Sequence, residues 1–310
     1  MEGRRDKLSA AGDERSMVMR RIVVTGGNKG IGLAIVKAIL EEHNDAFVWL
    51  AARSPERGRA AVQSVIAERP QWADRLAFLK LDVASDESVA SAAREVVERH
   101  GQDPAPVHAL VNNAGVAAGT LQEVVHVNTL GVRRVCEAFL PLLDPTGGRI
   151  VNITSAAGPN FVHTCSPERQ RFFLDPDVAW PALEQLIDTS IAMGSDKDAF
   201  AAAGLGDGSP YGFSKACANS YTMLLARAHP ALRINACTPG FIETDLTRPF
   251  ADAQGQAPAD MGMKPPSEGA RSAMFLLFGE PEGNGRYYGS DAVRSPLDRY
   301  RAPGDPPFEG

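Results

Sequence analysis

The sequence lacks the features that mark several large classes of protein. Its 310 residues contain no apolar run near the roughly 20 residues that a membrane-spanning helix needs. Positive charge is not in excess, because 32 lysines and arginines stand against 38 aspartates and glutamates, a net charge of −6. This balance gives no bulk attraction to nucleic acid or to an anionic membrane. We therefore expect neither as a partner.

Cysteine is also scarce. The four cysteines form no C-x-x-C pair and no histidine cluster accompanies them, so we expect no metal site. We interpret them as buried, reduced thiols in a cytoplasmic protein. Residues 1–20 carry charges of both signs and no apolar core, which does not fit a secretory signal, and we expect a flexible leader there.

What the sequence does contain, from residue 21 onward, is a regular alternation of strand-like and helical patterns. Residues 21–25 (RIVVT) form a continuous apolar run, and residues 31–42 carry apolar side chains at helical spacing. Further strands are predicted at 47–52, 76–83, 107–112 and 149–154, with helices between them at 55–68, 86–100 and 122–143. Such alternation predicts an α/β fold, a doubly wound parallel sheet of the Rossmann type.

The alternation stops between residues 159 and 210, where only helices are predicted, at 178–193 and 197–203. It resumes with a helix at 211–228, a strand at 233–237, a helix at 267–279 and a short strand at 286–288. No linker separates two domains. We expect one domain over residues 21–294 with a mainly helical insertion at 159–210, followed by a proline-rich, extended or disordered tail over 295–310.

A glycine-rich turn directly follows the first predicted strand. Its spacing, G-x-x-x-G-x-G before a helix, favours a tight turn, close approach of a pyrophosphate and close packing of the helix. The helix N-terminus offers free N–H groups and a partial positive charge to phosphates. A plain glycine turn is the alternative. The residues of this turn that are assigned to the cofactor are Gly26, Asn28, Lys29, Gly30 and Ile31.

The second predicted strand ends at a cation. A site for the unphosphorylated dinucleotide usually carries an acidic residue there, which accepts from the ribose 2′-hydroxyl. This chain has Arg53 instead, with Arg57 shortly after it and Lys29 inside the glycine turn. Three cations at the adenosine ribose suit a 2′-phosphate, so the pattern predicts NADP(H). The alternative is that Arg53 and Arg57 are solvated surface charges.

Two further segments are assigned to the cofactor. Asp82 follows the third strand and is predicted to accept from the adenine amino group, with Val83 packing beside the ring. Asn113, Ala114 and Gly115 follow the fourth strand, where small residues let the nicotinamide half pass close to the backbone. A turn rich in asparagine and glycine is the alternative for the second segment.

Tyr211 and Lys215 carry the chemistry that the sequence predicts. Residues four apart share one face of a helix, and a cation one turn away favours the anion of a phenol. That is what a tyrosine needs to act as an acid or base near neutral pH. With Ser155 after the fifth strand, the ordered motifs point to nicotinamide-dependent carbonyl chemistry.

Together these motifs resemble the short-chain dehydrogenase/reductase family, over roughly residues 21–290. The Asn-Lys-Gly-Ile-Gly turn and the long segment before Tyr211 are similar to the family's monomeric, NADPH-dependent carbonyl reductase branch, which implies a monomer whose insertion covers the tyrosine helix. The resemblance implies a catalytic tetrad of Asn128, Ser155, Tyr211 and Lys215. It also implies cofactor contacts from Pro239, Gly240, Ile242 and Thr244.

The sequence therefore predicts hydride transfer from NADPH to a small-molecule ketone, aldehyde or quinone. In this prediction Tyr211 protonates the carbonyl oxygen and Ser155 donates a hydrogen bond to it. Lys215 lowers the pKa of Tyr211 and holds the nicotinamide ribose. Two alternatives stay open: a non-catalytic NADPH-sensing protein, and the same site working as an alcohol dehydrogenase.

Overall fold

Seven parallel strands form one sheet in the computed structural model, which describes residues 19–194 and 196–310. The spatial order is β3-β2-β1-β4-β5-β6-β7, so the strand order reverses between β1 and β4, and this switch point lies at a crevice at the carboxyl ends of the two strands. The predicted doubly wound sheet is confirmed. The strands are β1 (Arg20–Thr25), β2 (Ala46–Ala52), β3 (Leu76–Lys80), β4 (Ala109–Asn112), β5 (Arg149–Ile153), β6 (Arg233–Cys237) and β7 (Tyr287–Tyr288).

Helices cover both faces of this sheet. Within the described residues they are α1 (Gly30–Glu42), α2 (Pro55–Glu68), α3 (Asp86–His100), α4 (Leu121–Asn128), α5 (Leu130–Phe139), α6 (Ala157–Thr164), α7 (Pro167–Leu174), α8 (Trp180–Ala192), α9 (Lys197–Ala202), α10 (Pro210–Ala228), α11 (Arg248–Gln254), α12 (Pro266–Gly269) and α13 (Arg271–Phe278). Short 3-10 turns lie at Pro70–Arg75 and Leu140–Leu142. None of the helices described is both long enough and apolar enough to cross a bilayer.

Side-chain alternation along the strands divides the core into two layers. Val23 and Trp49 belong to the layer shared with α3, α5, α10 and the insertion, whereas Val24 and Leu50 belong to the layer under α1, α2 and α13. Successive residues of a strand point to opposite faces, so a continuously apolar strand fills both layers. The three residues Ile22–Val24 of β1 and Ala109–Val111 of β4 are accordingly all apolar and buried.

The long helix predicted at 122–143 is two helices in the structure. The break falls at Thr129, a fully buried residue whose hydroxyl donates to the Ser214 carbonyl of α10 at 2.9 Å. A buried hydroxyl needs a partner, and this one finds it on the neighbouring helix. The break leaves Asn128 as the last residue of α4. The helix predicted at 267–279 is likewise divided, into α12 and α13.

The insertion contains four helices where the sequence predicted two. The two that were missed, α6 and α7, each have eight residues; α7 has the serine cap and first-turn proline of a helix start, and Ser166 accepts from the Arg169 N–H. Phe161 of α6 and Phe173 of α7 pack edge to face against Phe213 of α10, with ring centroids 5.7 and 6.4 Å away. The insertion is thus fastened to the helix that follows it.

Trp180 of α8 fastens the insertion at a second point. The Arg133 guanidinium of α5 lies 3.9 Å from the centroid of its ring, and Tyr221 of α10 meets it edge to face at 5.8 Å. Both geometries are favourable for an indole. Together with α4 and β6, the insertion buries every residue of α10 from 212 to 222.

Residues 295–310 contain neither helix nor strand, but a largely buried ion pair holds them in place. The Arg301 guanidinium donates to both carboxylate oxygens of Asp291 at 2.9–3.1 Å and to the Pro306 carbonyl at 2.9 Å. Phe308 lies against the guanidinium groups of Arg294 and Arg299, 5.5 and 5.6 Å from its ring centroid. A bidentate pair of this kind is geometrically specific, and it folds the tail back on the loop after β7.

Candidate active site

The glycine turn after β1 has the backbone that the sequence predicted. Gly26 and Gly30 have φ values of +63° and +55°, which favour glycine. A Cβ on Gly32 would lie 2.4 Å from the Gly26 carbonyl oxygen, so only glycine fits there. The helix that follows, α1, starts without a side-chain cap and without an acidic residue in its first turn. Its first N–H groups are therefore available to an anion.

The segment after β4 is fixed to the end of β1 through Thr25. The Thr25 hydroxyl accepts from the backbone N–H groups of Asn113 and Ala114 at 2.9 and 3.1 Å. The Asn113 side-chain amide donates to the Thr25 carbonyl at 2.9 Å. The Asn113 side chain therefore ties the segment after β4 to the end of β1. Sequence reasoning missed Thr25, whose signal is a hydroxyl at the end of an apolar strand.

Tyr211, Lys215 and Ser155 come together where α10 begins beside the end of β5. Ser209 caps this helix, Tyr211 lies in its first turn, and the Lys215 ammonium lies 5.6 Å from the centroid of the Tyr211 ring. Lys215 also donates to the carbonyl of Ile153, the last residue of β5, at 3.1 Å. Ser155 follows two residues later, and its hydroxyl neighbours the Tyr211 phenol.

Asn128 is held between the segment after β4 and α10. Its side-chain oxygen accepts from the Val116 N–H at 2.9 Å, and its amide donates to the Ser214 hydroxyl at 3.0 Å. A Cβ on Gly115 would lie 3.2 Å from that oxygen and 3.6 Å from the Lys215 nitrogen. Asn128 and Lys215 therefore flank the same glycine, whose missing side chain leaves room between them.

A chain of buried amides supports these groups from below. The Asn112 amide of β4 donates to the Asn152 oxygen of β5 at 2.9 Å, and the Asn152 amide donates to the Thr222 hydroxyl of α10 at 2.8 Å. These bonds join two strands and the tyrosine helix in one network. Sequence reasoning missed it, although asparagines at the ends of two apolar strands were a signal. The two asparagines are direct partners in the strand register.

Burial sets the pKa of both ionisable groups. Lys215 is 5% exposed, and burial lowers its pKa to about 8. Burial raises the pKa of Tyr211, and the neighbouring Ser155 hydroxyl opposes that rise. The net direction is opposite to the lowering that was predicted from the Lys215 charge, because loss of water around the phenol is the largest cause of the shift.

Of the three cations predicted at the adenosine ribose, the structure leaves two exposed and pairs the third. The Gly27 N–H donates to the Ala51 carbonyl at 3.0 Å, which places the end of β2 beside the glycine turn. Arg53 and Arg57 follow there, exposed and without a salt bridge to any residue in the described ranges. Lys29 instead lies 2.7 Å from the carboxylate of Asp245.

The residues predicted beside the adenine lie at the end of β3. Asp82 is half-buried, and its carboxylate accepts from the Ala84 N–H at 3.0 Å in a tight turn. Val83 is buried, and it would lie 3.1 Å from a Cβ on Gly131. Both follow β3 at the same carboxyl edge as the glycine turn, since the strands are parallel.

The segment after β6 returns to the first turn of α1. Its glycine, Gly240, has a φ of +92°. Ile242 is buried, and both Ile242 and Ile31 lie beside Gly269 of α12. A Cβ on Gly30 would lie 3.3 Å from the Thr244 methyl. The structure thus brings Ile242 and Thr244 to the glycine turn, across the mouth of the crevice.

These residues fit a dinucleotide. The uncapped N-terminus of α1 suits a pyrophosphate. The space left by the missing side chain of Gly115 lies next to the Lys215 ammonium. The exposed arginines after β2 suit a further phosphate. No group of three or more metal-ligating side chains is found among residues 19–194 and 196–310.

Comparison with known proteins agrees with this geometry. A family model described as short chain dehydrogenase matches residues 20–166. Carbonyl reductase (NADPH) 1 of Homo sapiens is 31% identical over 280 residues, 85% of this chain and 92% of that protein. The (+)-neomenthol dehydrogenase of Arabidopsis thaliana is 31% identical over 259 residues, 73% of this chain and 84% of that protein. Salutaridine reductase from Papaver somniferum shares the fold, with a TM-score of 0.70 at 24% identity over 87% of this chain and 99% of that chain.

We predict that Lys215→Met stabilises the protein at pH 7. A buried lysine whose pKa falls from 10.5 to about 8 costs stability, by up to about 3 kcal/mol. Below pH 8 the ammonium is charged in both states and the cost is fully present; between pH 8 and 10.5 only the unfolded state keeps the proton, so the cost fades. Denaturant unfolding at pH 7 and pH 10 measures the difference.

The matched control for this variant is Lys80→Met, which changes an exposed lysine at the end of β3. It should give no gain that depends on pH. Equal stabilities of Lys215→Met and the parent chain at both pH values would show that the ammonium is not destabilised by burial.

Proposed function

Because the chain belongs to the short-chain dehydrogenase family, we propose that it uses NADP(H) to reduce a small-molecule carbonyl to an alcohol. The observation that carries this proposal is the meeting of Tyr211, Ser155 and Lys215 at the end of β5, beside Gly115. A relative named carbonyl reductase (NADPH) 1 supports both the cofactor and the substrate class.

Each catalytic side chain has a role that follows from its surroundings. The bound cofactor supplies the hydride. Tyr211 donates the proton to the carbonyl oxygen, and Ser155 donates a hydrogen bond that fixes the direction of that oxygen. Lys215, anchored on the Ile153 carbonyl, directs its ammonium toward the room at Gly115 and the Tyr211 ring. Asn128 holds the opposite side of that room.

The raised pKa of Tyr211 is consistent with its role as the proton donor in reduction. Because burial raises this pKa, the phenol keeps its proton at neutral pH. A protonated phenol is the form that can donate to a developing alkoxide, whereas oxidation needs the phenolate as a base. The same site running as an alcohol dehydrogenase is thus the second candidate, and a protein that only senses NADPH would have no use for a proton donor.

We predict that Tyr211→Phe abolishes turnover and leaves NADPH binding intact. Loss of a general acid costs about 10²- to 10⁴-fold in rate. Turnover is followed by the absorbance of NADPH with menadione or an aryl ketone as substrate, and binding by the fluorescence of NADPH. The control is Tyr288→Phe in β7, which removes a hydroxyl that donates to the Glu282 carbonyl. This variant should keep its activity. Near-normal turnover of Tyr211→Phe would remove this residue from its role.

We predict that Arg53→Asp shifts cofactor preference from NADPH toward NADH. A charge-assisted hydrogen bond to the 2′-phosphate is lost and a repulsive carboxylate replaces it, so the ratio of kcat/KM values should fall about tenfold or more. Arg59→Asp is the matched control, because Arg59 is exposed on α2 and faces the Phe78 ring at 5.7 Å. A ratio that is the same in both variants would contradict the 2′-phosphate assignment.

We further propose that the protein is a monomer. The tyrosine helix α10 is buried over residues 212–222 by the insertion, α4 and β6, so this part of the helix offers no exposed face to a partner subunit. Light scattering at micromolar concentration should give the mass of one chain, 33.1 kDa. A dimer mass under these conditions would show that the covering insertion does not prevent association.

A further inference from the structure

Lys29 and Asp245 form an ion pair across the mouth of the cofactor crevice. The Lys29 ammonium donates to one carboxylate oxygen of Asp245 at 2.7 Å, although the two residues lie 216 positions apart in the sequence. The other oxygen faces the guanidinium of Arg248 at 3.6 Å. Hydrogen bonding and charge from Lys29 hold the pKa of Asp245 below its ordinary range, so the carboxylate is ionised in neutral solution.

The turn that carries Asp245 is braced. The Thr247 hydroxyl donates to the Ile242 carbonyl at 2.6 Å and accepts from the Thr244 N–H at 2.9 Å. The Thr244 methyl lies against Gly30 in the first turn of α1. The carboxylate is therefore held at a fixed place beside Lys29, whereas the lysine reaches it through a long flexible stem.

We propose that Asp245 is a specificity-determining residue of the cofactor site. Its carboxylate binds the Lys29 ammonium, and a 2′-phosphate has to displace this carboxylate before it can bind Lys29. This inference rests on the proposed use of NADP(H). One ammonium cannot bind two anions as well as it binds one, so a nucleotide with a 2′-phosphate displaces the carboxylate. A nucleotide without that phosphate leaves the pair intact. Asp245 thus narrows the difference in affinity between the two kinds of nucleotide.

The surroundings of Asp245 allow Lys29 to change partners. When Lys29 leaves, Arg248 still faces the carboxylate, so no uncompensated charge remains. Lys29 and Asp245 are 57% and 59% exposed, and pairs this exposed are weak. The Lys29–Asp245 pair is therefore strong enough to weaken the binding of a 2′-phosphate nucleotide by a small factor, and too weak to prevent that binding.

The experiment measures nucleotide binding without turnover. The dissociation constants of adenosine 2′,5′-bisphosphate and of 5′-AMP are determined by calorimetry for the parent chain and for Asp245→Asn. We expect Asp245→Asn to bind the bisphosphate about two- to fivefold more tightly, with no comparable gain for 5′-AMP. The control is Asp252→Asn in α11, because the Asp252 carboxylate forms no salt bridge within the described ranges. This variant should change neither dissociation constant.

A double-mutant cycle tests whether Asp245 acts through Lys29. In the Lys29→Met background, Asp245→Asn should no longer change the affinity for the bisphosphate. In the chain that keeps Lys29, Asp245→Glu should bind the bisphosphate with the parent affinity. Weaker or unchanged binding of the bisphosphate by Asp245→Asn would overturn the inference. An equal gain for both nucleotides, or a gain that persists without Lys29, would overturn it as well.

The outcome also separates this inference from the proposed function. Failure of the parent chain to bind NADPH or either adenosine nucleotide would remove the proposed function and this inference together. Tight binding of NADPH by the parent chain, with no difference between Asp245→Asn and Asp252→Asn, would remove only the role of Asp245.

Discussion

The site depends on keeping one ammonium out of water. Lys215 is almost fully buried, and the backbone carbonyl at the end of β5 is its hydrogen-bond partner in the structure. A buried charge costs stability unless its surroundings compensate for that cost, and Lys215 bears the cost at the position where its ammonium lies beside the Tyr211 ring. The burial of Lys215 therefore lowers the stability of the folded protein at the position of its candidate catalytic residues.

The rest of the fold maintains that dry environment. The insertion covers α10 from outside through Trp180 and the phenylalanine cluster, while the Asn112–Asn152–Thr222 chain fixes the helix to the sheet from inside. Neither contact touches the reacting groups. Both prevent the helix from moving away from β5, which would admit water to Lys215 and return both pKa values toward their ordinary range.

The sequence predicted those parts of the fold and site that depend on local patterns. Strands, the glycine turn and the Tyr211–Lys215 spacing could be predicted because each is set by residues close together in the chain. The break at Thr129 could not, since the hydroxyl of this residue bonds to a carbonyl 85 residues away, a contact that exists only in the folded chain. The Lys29–Asp245 pair and the net direction of the Tyr211 pKa were missed for the same reason, because separation in space and burial appear only after folding.

The four cysteines give the folded protein a further property. All are buried, and burial raises the pKa of Cys136, Cys165 and Cys237 to about 12 and that of Cys217 well above its ordinary value. Thiols in this state are poor nucleophiles toward alkylating reagents. A single cysteine introduced on the surface would therefore be the one position that a maleimide dye labels in the native protein, with no need to remove the natural thiols.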